Sequence, residues 1–142
     1  MRTVSSVSFV LGLLLASMLL AARAAAADAP PADKVYELRV CHTNPGKLET
    51  LHARFRDHTC KLFQKHGIEL VGFRTPIQGE EAKNTLYYIV AFPSAEPQKK
   101  AWQAFRDDPD WKKAKADSEK EGVLVNKVDS TNLKPTDYSP MR

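Results

Sequence analysis

The chain has 142 residues, 21 Lys+Arg against 17 Asp+Glu, a formal net charge of +4 and two cysteines. That length allows one domain and little more. It carries no phosphate-binding glycine loop, no Ser-His-Asp order and no C-x-x-C spacing, so nucleotide chemistry, triad hydrolysis and zinc binding have no support.

The N-terminus reads as an export signal. Arg2 gives a short positive region, Val7 to Leu20 is an almost unbroken apolar run, and small residues from Ala21 to Ala27 lead to Asp28. This is the order of a cleavable secretory signal. An uncleaved membrane anchor is the alternative, but the run falls short of the ~20 residues a spanning helix needs. Cleavage after Ala27 is expected, giving a secreted or periplasmic protein with no membrane attachment. Losing residues 1–27 removes Arg2 and Arg23 and leaves 19 basic against 17 acidic residues, a charge of +2. A balance that even leaves no footprint for nucleic acid.

Residues 28–33 form a Pro-rich spacer, and residues 34–140 form the domain. Lys34 to His42 alternates as a strand, with Tyr36, Leu38 and Val40 on one face and Glu37, Arg39 and Cys41 on the other. After the turn Thr43 to Gly46, Lys47 to His66 repeats Leu48, Leu51, Phe55 and Leu62 at helical spacing, and Gly67 marks its end. Ile68 to Thr75 is a second strand, and Gln78 to Lys83 a charged loop. Asn84 to Phe92 is apolar on both faces, the pattern of a strand covered on both sides. Ser94 caps a helix from Ala95 to Arg106, which restarts at Pro109 behind Asp108 and ends at Gly122. Val123 to Leu133 is the last strand. The order βαββαβ predicts an α+β, ferredoxin-like fold, a four-stranded antiparallel sheet with helices on one face. The other sheet face then needs cover, and a homodimer packed sheet to sheet is the expected solution. Cys41 on a strand and Cys60 off the helix's apolar stripe are expected to stay unpaired.

Several segments together resemble the NIPSNAP family. They are Val35-Tyr36-Glu37-Leu38-Arg39, Pro45-Gly46-Lys47-Leu48, Arg56-Asp57-His58-Thr59, Lys65-His66-Gly67 and Asn84-Thr85-Leu86. Trp102-Gln103-Ala104-Phe105, Asp108-Pro109-Asp110-Trp111 and Leu133 to Tyr138 complete the set. The resemblance spans about Lys34 to Pro140. It implies a dimeric α/β barrel, the architecture of cofactor-free monooxygenases and heme-binding proteins, without fixing a reaction. Cys41 and Arg74 stand where the family would lead one to expect aromatics.

Helical phase places His58 and Thr59 at the margins of the first helix's apolar stripe. A histidine there is a candidate general base, since its ordinary pKa lies near neutrality, or a heme ligand. The plainer alternative is a histidine held by a local hydrogen bond at the core margin. His42, His52 and His66 show no metal-ligand spacing. Tyr36, Tyr88 and Trp102 are candidate walls of a cleft between helices and sheet, where flat apolar ligands bind; plain core packing is the other reading. The expected function is small-molecule binding, with a cofactor-independent oxygenase or isomerase as its catalytic form. A non-catalytic interaction or heme-binding module is the alternative, and fold alone does not choose. No metal site is expected, and the cofactor is left unassigned.

Overall fold

The computed structural model describes residues 34–141. The expected signal, 1–27, and spacer, 28–33, lie outside them. Strand β1 is Val35–Thr43, and one helical rod follows in three consecutive pieces: α1 (Leu48–Arg54), the π-helical segment π1 (Phe55–Thr59) and α2 (Cys60–Lys65). Then come β2 (Glu69–Arg74), a 3₁₀ turn (Glu80–Lys83), β3 (Thr85–Phe92), α3 (Ala95–Asp107), α4 (Pro109–Ser118) and β4 (Val125–Leu133). The sheet is antiparallel throughout, in the order β2-β3-β1-β4. This is the ferredoxin-like split arrangement, the half-unit of dimeric α/β barrels.

The local signals behave as their chemistry dictates. Gly67 ends the first rod at φ +73°, a conformation open to glycine at little cost. Asp108 caps α4, its carboxylate accepting from the Asp110 backbone N–H at 2.7 Å with Pro109 in the first turn. Strand β3 is central and buried, with Leu86, Tyr88, Val90 and Phe92 among the least exposed side chains. On the helix side these pack against Leu51, Phe55 and Phe63 of the first rod and Phe105 of α3.

The faces of β1 depart from the expectation. Cross-strand partners share a face, and the register pairs Arg39 with Tyr88, Glu37 with Val90 and Cys41 with Leu86. Glu37, Arg39 and Cys41 therefore face the helices. Tyr36, Leu38 and Val40, paired with Ala91, Ile89 and Tyr87, face away from them. The apolar face of β1 is thus not the helix-packing face, because the charged face has partners in α3 and β4 that no strand pattern reveals.

The π segment is the second departure. Its wider turn is seen where the Cys60 N–H reaches back to the Phe55 carbonyl and the Thr59 hydroxyl donates to the Arg54 carbonyl, both five residues back. The slower rotation turns His58 out to solvent while Thr59 stays 2% exposed and Phe63 moves into the core.

Candidate functional site

A cavity of about 260 Å³ lies between the helices and the helix-facing side of the sheet. Phe55, Phe63 and Phe105 form much of its apolar wall, with Trp102 and Trp111 beside them. These rings contact one another: Phe63 meets Trp102 edge-on at 5.3 Å, and Phe105 lies 4.5 Å from Trp111. Tyr88 closes the sheet side, stacked on Phe73 at 5.4 Å. Val123 and Val128 line the cavity and are themselves 54% and 40% exposed, so its mouth opens beside β4.

Two arginines break the apolar lining. Arg39 reaches in from β1, its guanidinium 4.5 Å from the Trp102 ring centre. One nitrogen, Nη1, donates to Glu37 at 2.7 Å. Glu37 is 3% exposed and fully engaged: Oε1 also accepts from Ser130 at 2.6 Å, and Oε2 accepts from Gln98 at 2.7 Å and Trp102 Nε1 at 2.6 Å. Burial alone would raise the Glu37 carboxyl, but the bonds from Ser130, Trp102, Gln98 and Arg39 outweigh it and hold it below the ordinary value. Glu37 is therefore a fixed anion that orients Arg39 and Trp102, with no lone pair left to act as a base.

Arg54 enters from the end of α1, only 6% exposed. Its Nη1 donates to Ser118 at 3.2 Å and Glu119 at 3.0 Å, and the guanidinium lies 5.1 Å from the Trp111 ring. Burial raises Glu119, but Lys115 and Arg54 bring it below the ordinary value. In both arginines the Nε–H is buried with no hydrogen-bond partner. Cys41 faces the same space; burial pushes its thiol up, and the nearby Arg39 and Arg54 charges oppose that. Burial likewise pushes the Tyr88 phenol up, with Arg39 opposing.

Of the residues singled out from sequence, Thr59, Tyr88 and Trp102 line this cavity. Thr59 is occupied by its bond to the Arg54 carbonyl. Tyr36 does not reach it, because it lies on the opposite sheet face from Tyr88. His58 does not reach it either. It is exposed, in a surface groove with Asp57, Lys61, Asp110, Lys113 and Asp117. Glu37, Arg39, Arg54 and Cys41 are the site residues that strand and helix phase left out. The Glu-x-Arg alternation on one face of β1 was the available signal.

His66 is held by Asp108 at 2.6 Å and His42 by Asp129 at 2.9 Å. Among the described residues no group of three His, Cys, Asp or Glu side chains is placed to hold a metal ion. Cys41 and Cys60 are both free thiols. Among these residues, no helix is long and apolar enough to cross a membrane.

Residues 36–140 match the NIPSNAP family. The chain belongs to the NIPSNAP family. Solved structures of the same architecture agree. A NIPSNAP family protein of unknown function from Agrobacterium tumefaciens superposes with a TM-score of 0.67 at 22% identity, covering 78% of this chain and 96% of its own. A NIPSNAP-like domain protein from Burkholderia xenovorans gives 0.66 at 15% identity, covering 77% and 90%. SnoaB, a cofactor-independent oxygenase from Streptomyces nogalater, gives 0.50 at 14% identity, covering 77% and 99%. At these identities the likeness is one of fold. No curated protein sequence matches the chain significantly.

Proposed function

We propose that this NIPSNAP domain binds a small ring-bearing molecule in the cavity between its helices and its sheet. One observation carries the reading: an interior space walled by Phe55, Phe63, Trp102, Phe105 and Trp111 opens to solvent beside β4. A concave, mostly apolar site with a few converging polar groups is what small ligands require. The volume, about 260 Å³, suits one or two fused rings.

Cofactor-independent oxygenation, the activity of the distantly similar SnoaB, is the catalytic form of this proposal. It needs a group in the cavity that takes a proton from the substrate. Glu37 is saturated, and burial favours the protonated forms of Cys41 and Tyr88. That arrangement favours binding over proton abstraction. Heme ligation by His58 has no support, since His58 stands among charged side chains on the surface, outside the cavity.

Calorimetric titration with naphthalene-sized compounds tests the proposal. Wild type should bind, and Val128→Trp, which plugs the exposed mouth, should not. Unchanged binding by a folded Val128→Trp would place the ligand elsewhere. Oxygen uptake with a bound phenol would establish the catalytic form.

A further inference from the structure

We infer that the occupant of this cavity is a ring-bearing monoanion, an aromatic carboxylate or phenolate, whose charged oxygen is received by Arg54 and Arg39. The inference rests on the ring-binding proposal and specifies its ligand class.

The first ground is an unmet requirement of the fold. Buried polar groups in native proteins are almost always hydrogen-bonded, and each exception calls for a reason. Arg39 and Arg54 each bury an Nε–H that no protein acceptor meets. Both line the same cavity, and Arg54 is 94% buried there, since its side chain is 6% exposed. Each fork is held elsewhere through Nη1, Arg39 on Glu37 and Arg54 on Ser118 and Glu119. Stacking on Trp102 and Trp111 restrains the two guanidinium planes further. The unmet N–H groups therefore belong to cations held in place at the cavity wall, and an arriving acceptor reaches them once the guanidinium plane shifts toward the cavity.

The second ground is charge. Three cations border this space or its rim: Arg39, Arg54 and Lys115. Two carboxylates pair with them, Glu37 with Arg39 and Glu119 with both Arg54 and Lys115. One positive charge is left over, with Lys115 half-exposed at the rim. A single negative charge on the ligand matches it. Cys41, Arg39 and Arg54 line the same cavity. Aromatic walls on the remaining sides then select a flat ring for the rest of the molecule.

The test compares 2-naphthoate with its neutral isostere 2-naphthamide, both titrated calorimetrically into wild type. The carboxylate should bind about tenfold or more tightly, the effect of a charge-assisted hydrogen bond. In Arg54→Met that preference should fall to within about twofold. Arg54 packs on Trp111, so Arg39→Met serves as a second variant should Arg54→Met not fold, and it should narrow the preference in the same direction. Equal affinity of wild type for the two probes, or tighter binding of the amide, overturns the inference and leaves ring binding standing. Failure of both probes to bind overturns ring binding and the inference together.

Discussion

Replacing Glu37 by glutamine probes the buried network most directly. The side chain is 4% exposed and accepts four hydrogen bonds, two on each oxygen. Glutamine offers one acceptor oxygen, so one pair of donors must lose its partner. If the amide oxygen faces Arg39 and Ser130, then Trp102 Nε1 is stranded, while Gln98 keeps Asn132 Oδ1 at 2.8 Å. If it faces Gln98 and Trp102, then Arg39 and Ser130 are stranded. The first orientation costs least, but Arg39 still loses its countercharge. A stranded buried donor costs about 1–3 kcal/mol, and loss of a buried charge partner adds to it, so a destabilisation of about 2–4 kcal/mol is expected. Urea unfolding monitored by tryptophan fluorescence measures it, with the m-value required to stay constant. The Glu37→Leu/Arg39→Met double variant should recover part of the loss, because removing both charges avoids an orphan. The pH dependence has a definite sign. The folded carboxyl lies below its ordinary value of 4.5, so its contribution is present above that pH and is lost as pH falls through the folded value. The gap between wild type and Glu37→Gln should thus be full above about pH 5 and close in acid. A change below about 0.5 kcal/mol at pH 7, the range of ordinary surface substitutions, would refute the account of Glu37 as a fixed structural anion.

Three further outcomes are expected. His58→Ala should alter stability by less than about 0.5 kcal/mol and leave ligand affinity unchanged, since His58 is exposed and outside the cavity; a tenfold loss of affinity in titration would restore it to the site. The outer sheet face, with Leu38, Val40, Tyr87 and Ile89 only half-buried, should be covered by a second copy, so light scattering at micromolar concentration should give twice the protomer mass and Ile89→Glu should abolish the dimer. A monomeric wild type would contradict this. Finally, intact-mass measurement from the native host should show a secreted or periplasmic protein beginning near Asp28, and membrane-retained protein still carrying Met1 to Ala27 would refute export with cleavage.

The sequence by itself determined the family, the βαββαβ order and most element ends, because those depend on neighbours in the chain. Gly67 ends a helix through its own backbone freedom, and Asp108 with Pro109 starts one through a bond to Asp110 two residues on. The apolar run of β3 likewise announced a strand. The cavity was legible only in part: of the residues singled out from sequence, Thr59, Tyr88 and Trp102 line it, whereas Tyr36 and His58 do not. Two decisions belonged to the tertiary structure. Alternation in β1 shows that Glu37 and Arg39 share a face, but not which layer that face meets. Gln98 and Trp102 of α3 and Ser130 of β4, all more than 60 residues away in the chain, supply the bonds that make burying a carboxylate tolerable. The rotation of the first helix was the other. One π turn changes the phase of every later side chain, and the packing that goes with it, Phe63 on Trp102, is long-range. A periodicity of about 100° per residue contains no such turn, which is why a strictly α-helical reading brought His58 toward the site.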